Sequence, residues 1–217
     1  MNIYNYNLKD ISIRVLDIKH ISEDEKAMML KLLGNERREY ALSIQDKNPA
    51  GCLERLAAGY LLEEELLQRG IDNRELTYLR SENGRPYIKE INLDFSLSHS
   101  GRFAACAIGP KPAYADPSHH MTFGIDIEDT LLHRNKDRLL NIAKRFFTEK
   151  EKKELLNSDE DIDLQSFLKL WTKKEAAAKA SDIPGARMIS AELSNFSFYS
   201  IKEYDYILTL CTGSSGK

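Results

Sequence analysis

Residues 123–128, which read FGIDIE, alternate apolar residues with small or acidic ones. Alternation with a period of two predicts a β-strand, because every second side chain of a strand points to the same face. Asp126 and Glu128 are therefore expected on one face, roughly 6–7 Å apart along the strand. Two carboxylates this close repel each other unless a cation lies between them, and their hard oxygens suit Mg²⁺, which commonly binds one or two carboxylates together with water and substrate phosphate. A strand end with two solvated acids is the alternative interpretation.

Composition limits the classes of protein to which the chain can belong. Its 217 residues suffice for one large domain or two small ones. A formal net charge of −3 excludes the overall basic field of a nucleic-acid-binding protein, so any anionic ligand must be held by local cations. The three cysteines form no CxxC pair, which predicts buried free thiols rather than a zinc site or a disulfide framework.

The N-terminal residues lack the cationic and apolar regions of a signal peptide, and no apolar run approaches the ~18 residues of a membrane span. We therefore expect a cytoplasmic protein that does not associate with membranes.

The order of the predicted elements indicates an α+β fold. Each half of the chain begins with a strand and contains one long helix and several strands, which predicts two pseudo-twofold-related halves, each a small antiparallel sheet on a long helix. Residues 1–110 are expected to form the N-terminal half, 111–123 a connector and 124–217 the C-terminal half. The predicted elements are strand 11–18, helices 23–33, 35–43 and 51–69, strands near 76–79, 87–88, 95–98, 103–108 and 124–128, helices 135–147, 149–156 and 164–180, and strands near 196–199 and 206–211.

The second long helix carries a further set of polar residues. Trp171, Glu175 and Lys179 follow each other at four-residue steps and hence lie on one helical face. Glu175 and Lys179 have the favourable orientation for an ion pair within the helix, which is one interpretation. In the other, Glu175 completes a three-carboxylate Mg²⁺ site with Asp126 and Glu128, while Lys179 contacts a phosphate.

Five motifs follow each other in the chain: GRPY at 84–87, FSLSHS at 95–100, GIDIE at 124–128, RFFTEKE at 145–151 and WTKKEAAAK at 171–179. In this order they resemble the motifs of the 4′-phosphopantetheinyl transferases of the surfactin-synthetase-activating (Sfp) type. GIDIE, followed at a family-like distance by W-x-x-K-E-x-x-x-K, carries most of the specificity of this resemblance.

The resemblance implies an activity. Such an enzyme moves 4′-phosphopantetheine from CoA to a serine of an apo acyl or peptidyl carrier protein and releases adenosine 3′,5′-bisphosphate. Asp126, Glu128 and Glu175 would hold Mg²⁺, or alternatively Mn²⁺, on the CoA pyrophosphate. Glu175 is the favoured general base for the serine, but a metal-bound carboxylate is a weak base, so Glu151 or a water relayed by it stays an alternative.

The resemblance also implies contacts with CoA and with the carrier. Arg37, Arg38 and Lys47 add basic charge in the region where the family has phosphate-binding cations, but a solvated surface position is expected for these three. A carrier-docking groove is expected near residues 145–156. A single chain could hold a complete active site, so a monomer is predicted. The implied CoA contacts are Arg55, Arg85, Ser98, His99, Lys174 and Lys179, and the docking candidates are Phe146, Phe147 and Lys150.

Two other classes of function remain open. The same three acids could support Mg²⁺-dependent phosphoester hydrolysis, which would release phosphate without a carrier. A non-catalytic module that binds CoA or a carrier is the second alternative, although a decayed site is expected to have lost at least one of its polar residues. The pathway of the carrier, whether fatty acid, polyketide or nonribosomal peptide, is not encoded in these motifs.

Overall fold

The computed structural model describes residues 1–73, 76–111, 123–155, 162–182, 193–194 and 196–213. The chain forms two compact units, Met1–Ala115 and Asp116–Lys217. The connector expected at 111–123 lies outside the described residues except at its two ends. Along the part of the chain that the structure describes, none of the helices is both long and apolar enough to cross a membrane.

The described residues of the first unit form three helices and six strands. Four strands make an antiparallel sheet in the order β1-β2-β6-β5, and β3 pairs with β4 as a hairpin. The long helix α3 packs against β5 and β6, and the two short helices pack against α3. The elements are β1 (Asn2–Leu8), β2 (Ile11–Asp17), α1 (Glu23–Leu32), α2 (Asn35–Leu42), α3 (Pro49–Gln68), β3 (Tyr78–Arg80), β4 (Pro86–Ile88), β5 (Leu93–Ser100) and β6 (Phe103–Pro110).

Local signals in the sequence account for the helix ends of this unit. The Ser22 side chain accepts from the Glu25 backbone N–H while the Glu25 carboxylate accepts from Ser22 N–H, so the predicted capping box begins α1. Gly70, which follows the C-cap residue Arg69 of α3, has φ +74°, a left-handed conformation that favours glycine and stops the helix. The buried face of α3, including Leu56 and Leu61, forms the core beneath the sheet.

The edge strand β1 is absent from the sequence-based prediction. It pairs with β2 in register from Asn2 opposite Asp17 to Leu8 opposite Ile11. None of its residues is fully buried, so its sequence NIYNYNL lacks the clear apolar face that periodicity requires. The boundaries of the remaining predicted elements agree with the structure to within a few residues.

The described residues of the second unit form a three-stranded antiparallel sheet and three helices. The strand order is β7-β9-β8, and α6 packs against β7 and β9. Both units thus combine a small antiparallel sheet with a long helix, and the predicted α+β class is confirmed. The elements are β7 (Phe123–Asp129), α4 (Lys136–Phe146), α5 (Glu149–Leu155), α6 (Leu164–Ala180), β8 (Phe196–Lys202) and β9 (Tyr206–Gly213).

Helix α6 lies directly on β7 because β7 lacks a side chain at Gly124. A Cβ atom there would lie 2.1 Å from the carbonyl oxygen of Ala176 and 2.6 Å from the backbone nitrogen of Ala180. Both alanines are fully buried, so small residues line the contact on the helix side as well. This close approach brings the polar residues of α6 next to those of β7.

Gly124→Ala is expected to destabilise the protein, because the new methyl group meets fixed backbone rather than a movable side chain. The free energy of unfolding, measured by urea denaturation, should fall by about 1–3 kcal/mol or more. Gly34→Ala is the control, since a Cβ at Gly34 meets no atom within 4 Å, and it should change this free energy by less than about 1 kcal/mol. Equal stability of the two variants would contradict the close approach.

Candidate active site

Asp126 and Glu128 lie on the face of β7 that packs against α6. They alternate with Ile125 and Ile127, and Asp126 pairs across the sheet with Thr209, whose hydroxyl lies 2.9 Å from the hydroxyl of Thr172 on α6. Asp126 is only 6% exposed and Glu128 is half-buried. The interpretation of these residues as two solvated acids is therefore wrong, because the helix covers the acidic face of the strand.

Two cations contact these acids. Lys179 donates from Nζ to Oδ1 of Asp126 at 2.8 Å and to the carbonyl of Ile125 at 3.0 Å. Arg134, in the turn between β7 and α4, donates to Oε2 of Glu128. The charge of each acid is thus opposed by a cation of the same unit, and Lys179 connects α6 to β7.

Glu175 shares the electrostatic environment of both acids. Burial raises the pKa of Glu175, the negative charge of Asp126 raises it further, Lys179 opposes the shift, and Glu128 adds to it. The three carboxylates of the predicted site are therefore near enough to interact. Within the described ranges, however, no group of three or more histidine, cysteine, aspartate or glutamate side chains is arranged to hold a metal ion.

The chemistry of these donors nevertheless fits Mg²⁺. All three are carboxylates, the ligand type that this ion prefers in proteins, and their mutual repulsion would be relieved by a cation. Lys179 and Arg134 each contact one oxygen of Asp126 and Glu128, respectively. A divalent ion bound to the three acids would therefore compete with these two cations for the same carboxylates.

Glu151 and Lys174 form an ion pair in which the lysine is buried and the glutamate is half-buried. Lys174 is fully buried, with its Nζ 2.9 Å from Oε1 of Glu151 and 5.5 Å from the ring centroid of Phe147. The other oxygen of Glu151 accepts from the N–H of Thr148 at 2.8 Å, which caps α5. This arrangement disagrees with a phosphate contact for Lys174, because its ammonium lies in the interior, and an ammonium on Glu151 weakens that carboxylate as a base.

Phe147, which lies beside Lys174, is part of a cluster of three aromatic rings. Phe167 stacks on Phe147 at 5.4 Å and on Trp171 at 6.0 Å between ring centroids. Phe147 is 5% exposed and belongs to the core of the unit, so it cannot serve as a docking residue in this conformation. Phe146 is half-buried and Lys150 is exposed.

A pocket of about 230 Å³ in the first unit contains two of the residues predicted to contact CoA, Arg55 and His99. Arg55 lies over the ring of Tyr40, 4.4 Å from its centroid, and His99 Nδ1 lies 2.9 Å from a carboxylate oxygen of Glu54. The pocket is therefore both basic and aromatic. Its lining comprises Glu36, Arg37, Tyr40, Arg55, Ala58, Gly59, Tyr78, Leu79, Arg80, Pro86, Leu97 and His99.

Arg37 is not the solvated residue that we expected. Its guanidinium lies 4.4 Å from the centroid of the Tyr78 ring and 5.1 Å from that of Phe95, and its Nε is 3.8 Å from Glu63. The Tyr78 hydroxyl donates to the same carboxylate at 2.8 Å, and burial raises the pKa of Glu63. Sequence reasoning missed Tyr78 and Arg80 as lining residues, although both lie on β3, six and four residues before the GRPY motif.

Arg38 and Lys47 differ from each other. Arg38 donates to the carbonyls of Leu30 and Leu33, both at 2.9 Å, and so caps the C-terminus of α1 instead of being solvated. Lys47 is exposed, as expected.

Arg85 and Ser98 lie outside the lining of the pocket. The Arg85 guanidinium donates to Asp94 at 2.8 Å and to the carbonyl of Phe95 at 3.3 Å, which ties the β3–β4 hairpin to β5. Ser98 is buried on β5 opposite Ala105. Their predicted roles in CoA binding stay predictions, and the bonds of Arg85 indicate a structural role beside any ligand contact.

The second unit carries the acidic strand and the basic helix, and it is also the part of the chain that a family model recognises. A sequence model described as the 4′-phosphopantetheinyl transferase superfamily matches residues 122–215.

Similar proteins extend this likeness to most of the chain. The 4′-phosphopantetheinyl transferase Sfp of Bacillus subtilis (strain 168) is 30% identical over 180 residues, which cover 82% of this chain and 70% of that protein. The 4′-phosphopantetheinyl transferase gsp of Aneurinibacillus migulanus is 28% identical over 170 residues, with coverages of 77% and 65%. HetI, a 4′-phosphopantetheinyl transferase of Nostoc sp. (strain PCC 7120 / SAG 25.82 / UTEX 2576), is 32% identical over 149 residues, with coverages of 66% and 54%. The chain belongs to the Sfp-type family of 4′-phosphopantetheinyl transferases, as its motifs predicted.

Loss of charge at Glu151 is expected to cost more stability than loss of charge at Lys174. Glu151→Gln keeps the cap of α5 but leaves a buried ammonium without its counter-ion, which should lower the free energy of unfolding by up to about 3–5 kcal/mol. Lys174→Met removes the buried charge at similar volume and should cost clearly less. Glu149→Gln is the control, because its pair with Lys152 lies on the surface, where an ion pair contributes about 0–1 kcal/mol. Urea denaturation measures all three, and a Lys174→Met variant less stable than Glu151→Gln would contradict the assignment.

The raised pKa of Glu175 predicts a pH dependence of stability. The folded chain retains a proton that the unfolded chain has lost, so the free energy of unfolding of the metal-free protein should fall as the pH rises above the ordinary glutamate pKa of about 4.3. Glu175→Gln should make this decline shallower, since the raised pKa of Glu63 also contributes to it, and should be more stable than the original chain at pH 7. Urea denaturation in EDTA over a pH series measures the effect, with the exposed Glu154→Gln as control. A decline as steep in Glu175→Gln as in the original chain would disprove the prediction.

Proposed function

We propose that the protein transfers the 4′-phosphopantetheine group of CoA to a serine of an apo carrier protein, with release of adenosine 3′,5′-bisphosphate. The observation that carries this proposal is the acidic cluster of Asp126, Glu128 and Glu175 beside Lys179. It lies in the unit that the superfamily model matches. The similar proteins named above are 4′-phosphopantetheinyl transferases.

The reaction is a phosphoryl transfer, so positioning and neutralisation of charge supply most of its catalysis. Mg²⁺ or Mn²⁺ bound to Asp126, Glu128 and Glu175 would neutralise charge on the CoA pyrophosphate and its leaving oxygen. The protein holds two of these carboxylates on a rigid strand and the third on a helix packed directly against it.

Lys179 is proposed to bind a phosphate oxygen of CoA. Its ammonium lies against Asp126 in this structure, but a lysine has a flexible stem and three donors. Once the charge of Asp126 is neutralised by another cation, the ammonium can turn to a substrate phosphate without leaving an isolated buried carboxylate. The side chain is 29% exposed, which leaves it access to a ligand.

Glu175 is the proposed acceptor of the serine proton. Its raised pKa brings the carboxyl closer to the range in which a general base works best. Coordination of a metal would lower its basicity, so a water molecule held by one of the acids is the alternative acceptor. Glu151 fits a positioning role better, because one of its oxygens bonds Lys174 and the other caps α5.

The basic pocket of the first unit is proposed to bind the phosphorylated adenosine end of CoA. Arg37, Arg55, Arg80 and His99 provide positive or polar groups for a phosphate, and the guanidinium groups of Arg55 and Arg80 both lie over the ring of Tyr40. In this proposal CoA contacts Arg55 and His99, as the family motifs imply.

Further features of the protein also stay proposals. An apo carrier would dock near α5, where Lys150 and Lys153 are exposed and complement an acidic partner. We propose a monomer with an N-terminal half 1–110, a connector 111–123 and a C-terminal half 124–217 related by pseudo-twofold symmetry. The free buried cysteines favour a reducing compartment such as the cytoplasm.

Intact-protein mass spectrometry of an apo carrier incubated with CoA, Mg²⁺ and this protein tests the proposal. The carrier should gain the mass of one phosphopantetheine, and Asp126→Ala should slow this gain by about 10²–10³-fold, a loss typical of removing one charge-stabilising group. Asp137→Ala is the control, because Asp137 is an exposed acid at the start of α4. Fatty-acid, polyketide and nonribosomal-peptide carriers should be compared in parallel.

The alternatives predict other products. Cleavage of CoA in the absence of any carrier would indicate a phosphoesterase. CoA binding with no product on any of the three carriers would indicate a non-catalytic binding module. Either outcome would overturn the transferase proposal.

A further inference from the structure

Arg134 is a charged residue of the acidic cluster that the family motifs do not include. It lies in the turn between β7 and α4, and its side chain is 12% exposed. Its guanidinium donates to Oε2 of Glu128 and also to the carbonyl oxygens of Asp129 at 2.6 Å and Leu132 at 3.0 Å. Three acceptors therefore fix the orientation of this guanidinium. Its planar group presents several N–H donors in a rigid arrangement, which the ammonium of a lysine does not.

The position of Arg134 conflicts with the proposed metal site. Glu128 is one of the three carboxylates assigned to the divalent ion, and the guanidinium already bonds to one of its oxygens. A charge-assisted bond of this type in a partly buried position is stronger than a neutral hydrogen bond. A divalent ion that binds Glu128 must break or weaken the bond between Arg134 and this carboxylate. The free energy of that bond therefore reduces the binding free energy of the ion.

Lys179 differs from Arg134 in this respect. Its proposed role lets it move from Asp126 to a substrate phosphate, so its charge remains useful when the metal binds. Arg134 is tied to the turn by backbone carbonyls that belong to its own segment. The same turn is anchored to the β8–β9 loop by Thr130, whose N–H donates to Asp205 O and whose hydroxyl donates to Tyr204 O, both at 2.9 Å.

Resting on the proposed function, we propose that Arg134 is a built-in counter-ion that neutralises Glu128 in the metal-free protein and competes with the divalent ion for this carboxylate. Arg134 thereby lowers the affinity for the metal while it prevents repulsion among the three acids before the metal arrives. Binding of the metal releases the guanidinium from Glu128, and the Thr130 contacts keep the turn in place.

Titration of the metal-free full chain with Mn²⁺, followed by the electron paramagnetic resonance signal of the free ion and without CoA, tests this inference. Arg134→Gln should bind Mn²⁺ about tenfold more tightly than the original chain, because the competing charge-assisted bond is gone. Arg134→Lys keeps a positive charge near Glu128, so its affinity for Mn²⁺ should lie between those of the original chain and Arg134→Gln. Arg138→Gln removes an exposed arginine of α4 and should bind as the original chain does.

Unchanged or weaker Mn²⁺ binding by Arg134→Gln would overturn the inference, and weaker binding would mean that Arg134 instead orients Glu128 for the metal. Thermal unfolding of each variant shows whether it is folded. If Arg134→Gln does not fold, Arg134→Lys decides the question. Tighter Mn²⁺ binding by Arg134→Lys than by the original chain supports the inference, and equal or weaker binding overturns it. Glu128→Gln separates the failure of this inference from the failure of the metal site. If it binds Mn²⁺ as tightly as the original chain, Glu128 is not a ligand and both assignments fall, whereas if it binds more weakly, the metal site stands whatever Arg134→Gln does.

Discussion

The contact between β7 and α6 is the constraint on which the candidate site depends. Helix and strand approach so closely that even a methyl group at Gly124 would overlap the helix backbone. Packed backbones of this kind do not adjust continuously, because protein interiors are close to crystalline density. The spacing between Asp126 on the strand and Glu175 on the helix is thus fixed by an absent side chain two residues away, not by the acids themselves.

Electrostatics explains why such a cluster is tolerated in a folded chain without a metal ion. Three neighbouring carboxylates in a partly buried location would be costly if all were ionised and unopposed. Lys179 and Arg134 offset two of the charges, and the raised pKa of Glu175 reduces the third. The three acids thus lower the stability of the metal-free fold, and perturbed pKa values such as that of Glu175 are common in functional sites.

Sequence reasoning succeeded where a signal is local. Periodicity and caps predicted α1, α3 and α6, and the spacing of Glu175 and Lys179 predicted their shared face. It failed where the outcome depends on tertiary partners: β1 has no apolar face, and the burial of Lys174 depends on Glu151, which lies 23 residues earlier in the chain. Arg37 and Arg38 are basic neighbours in sequence, yet one stacks on aromatic rings and the other caps a helix. Long charged side chains can bury their stems or pair with residues that are distant in the sequence. The charge of a residue therefore does not predict its exposure.

The aromatic stack on α6 has a spectroscopic consequence. Trp171 is the single tryptophan of the chain, it stacks on Phe167, and it precedes Glu175 by one helical turn. Intrinsic indole fluorescence therefore originates from one known position beside the acidic cluster, without any attached dye. A displacement of α6 relative to Phe147, whose ring centroid lies 6.4 Å from that of Trp171, would alter the emission of that fluorophore, so the protein carries its own optical reporter of the helix that bears Glu175 and Lys179.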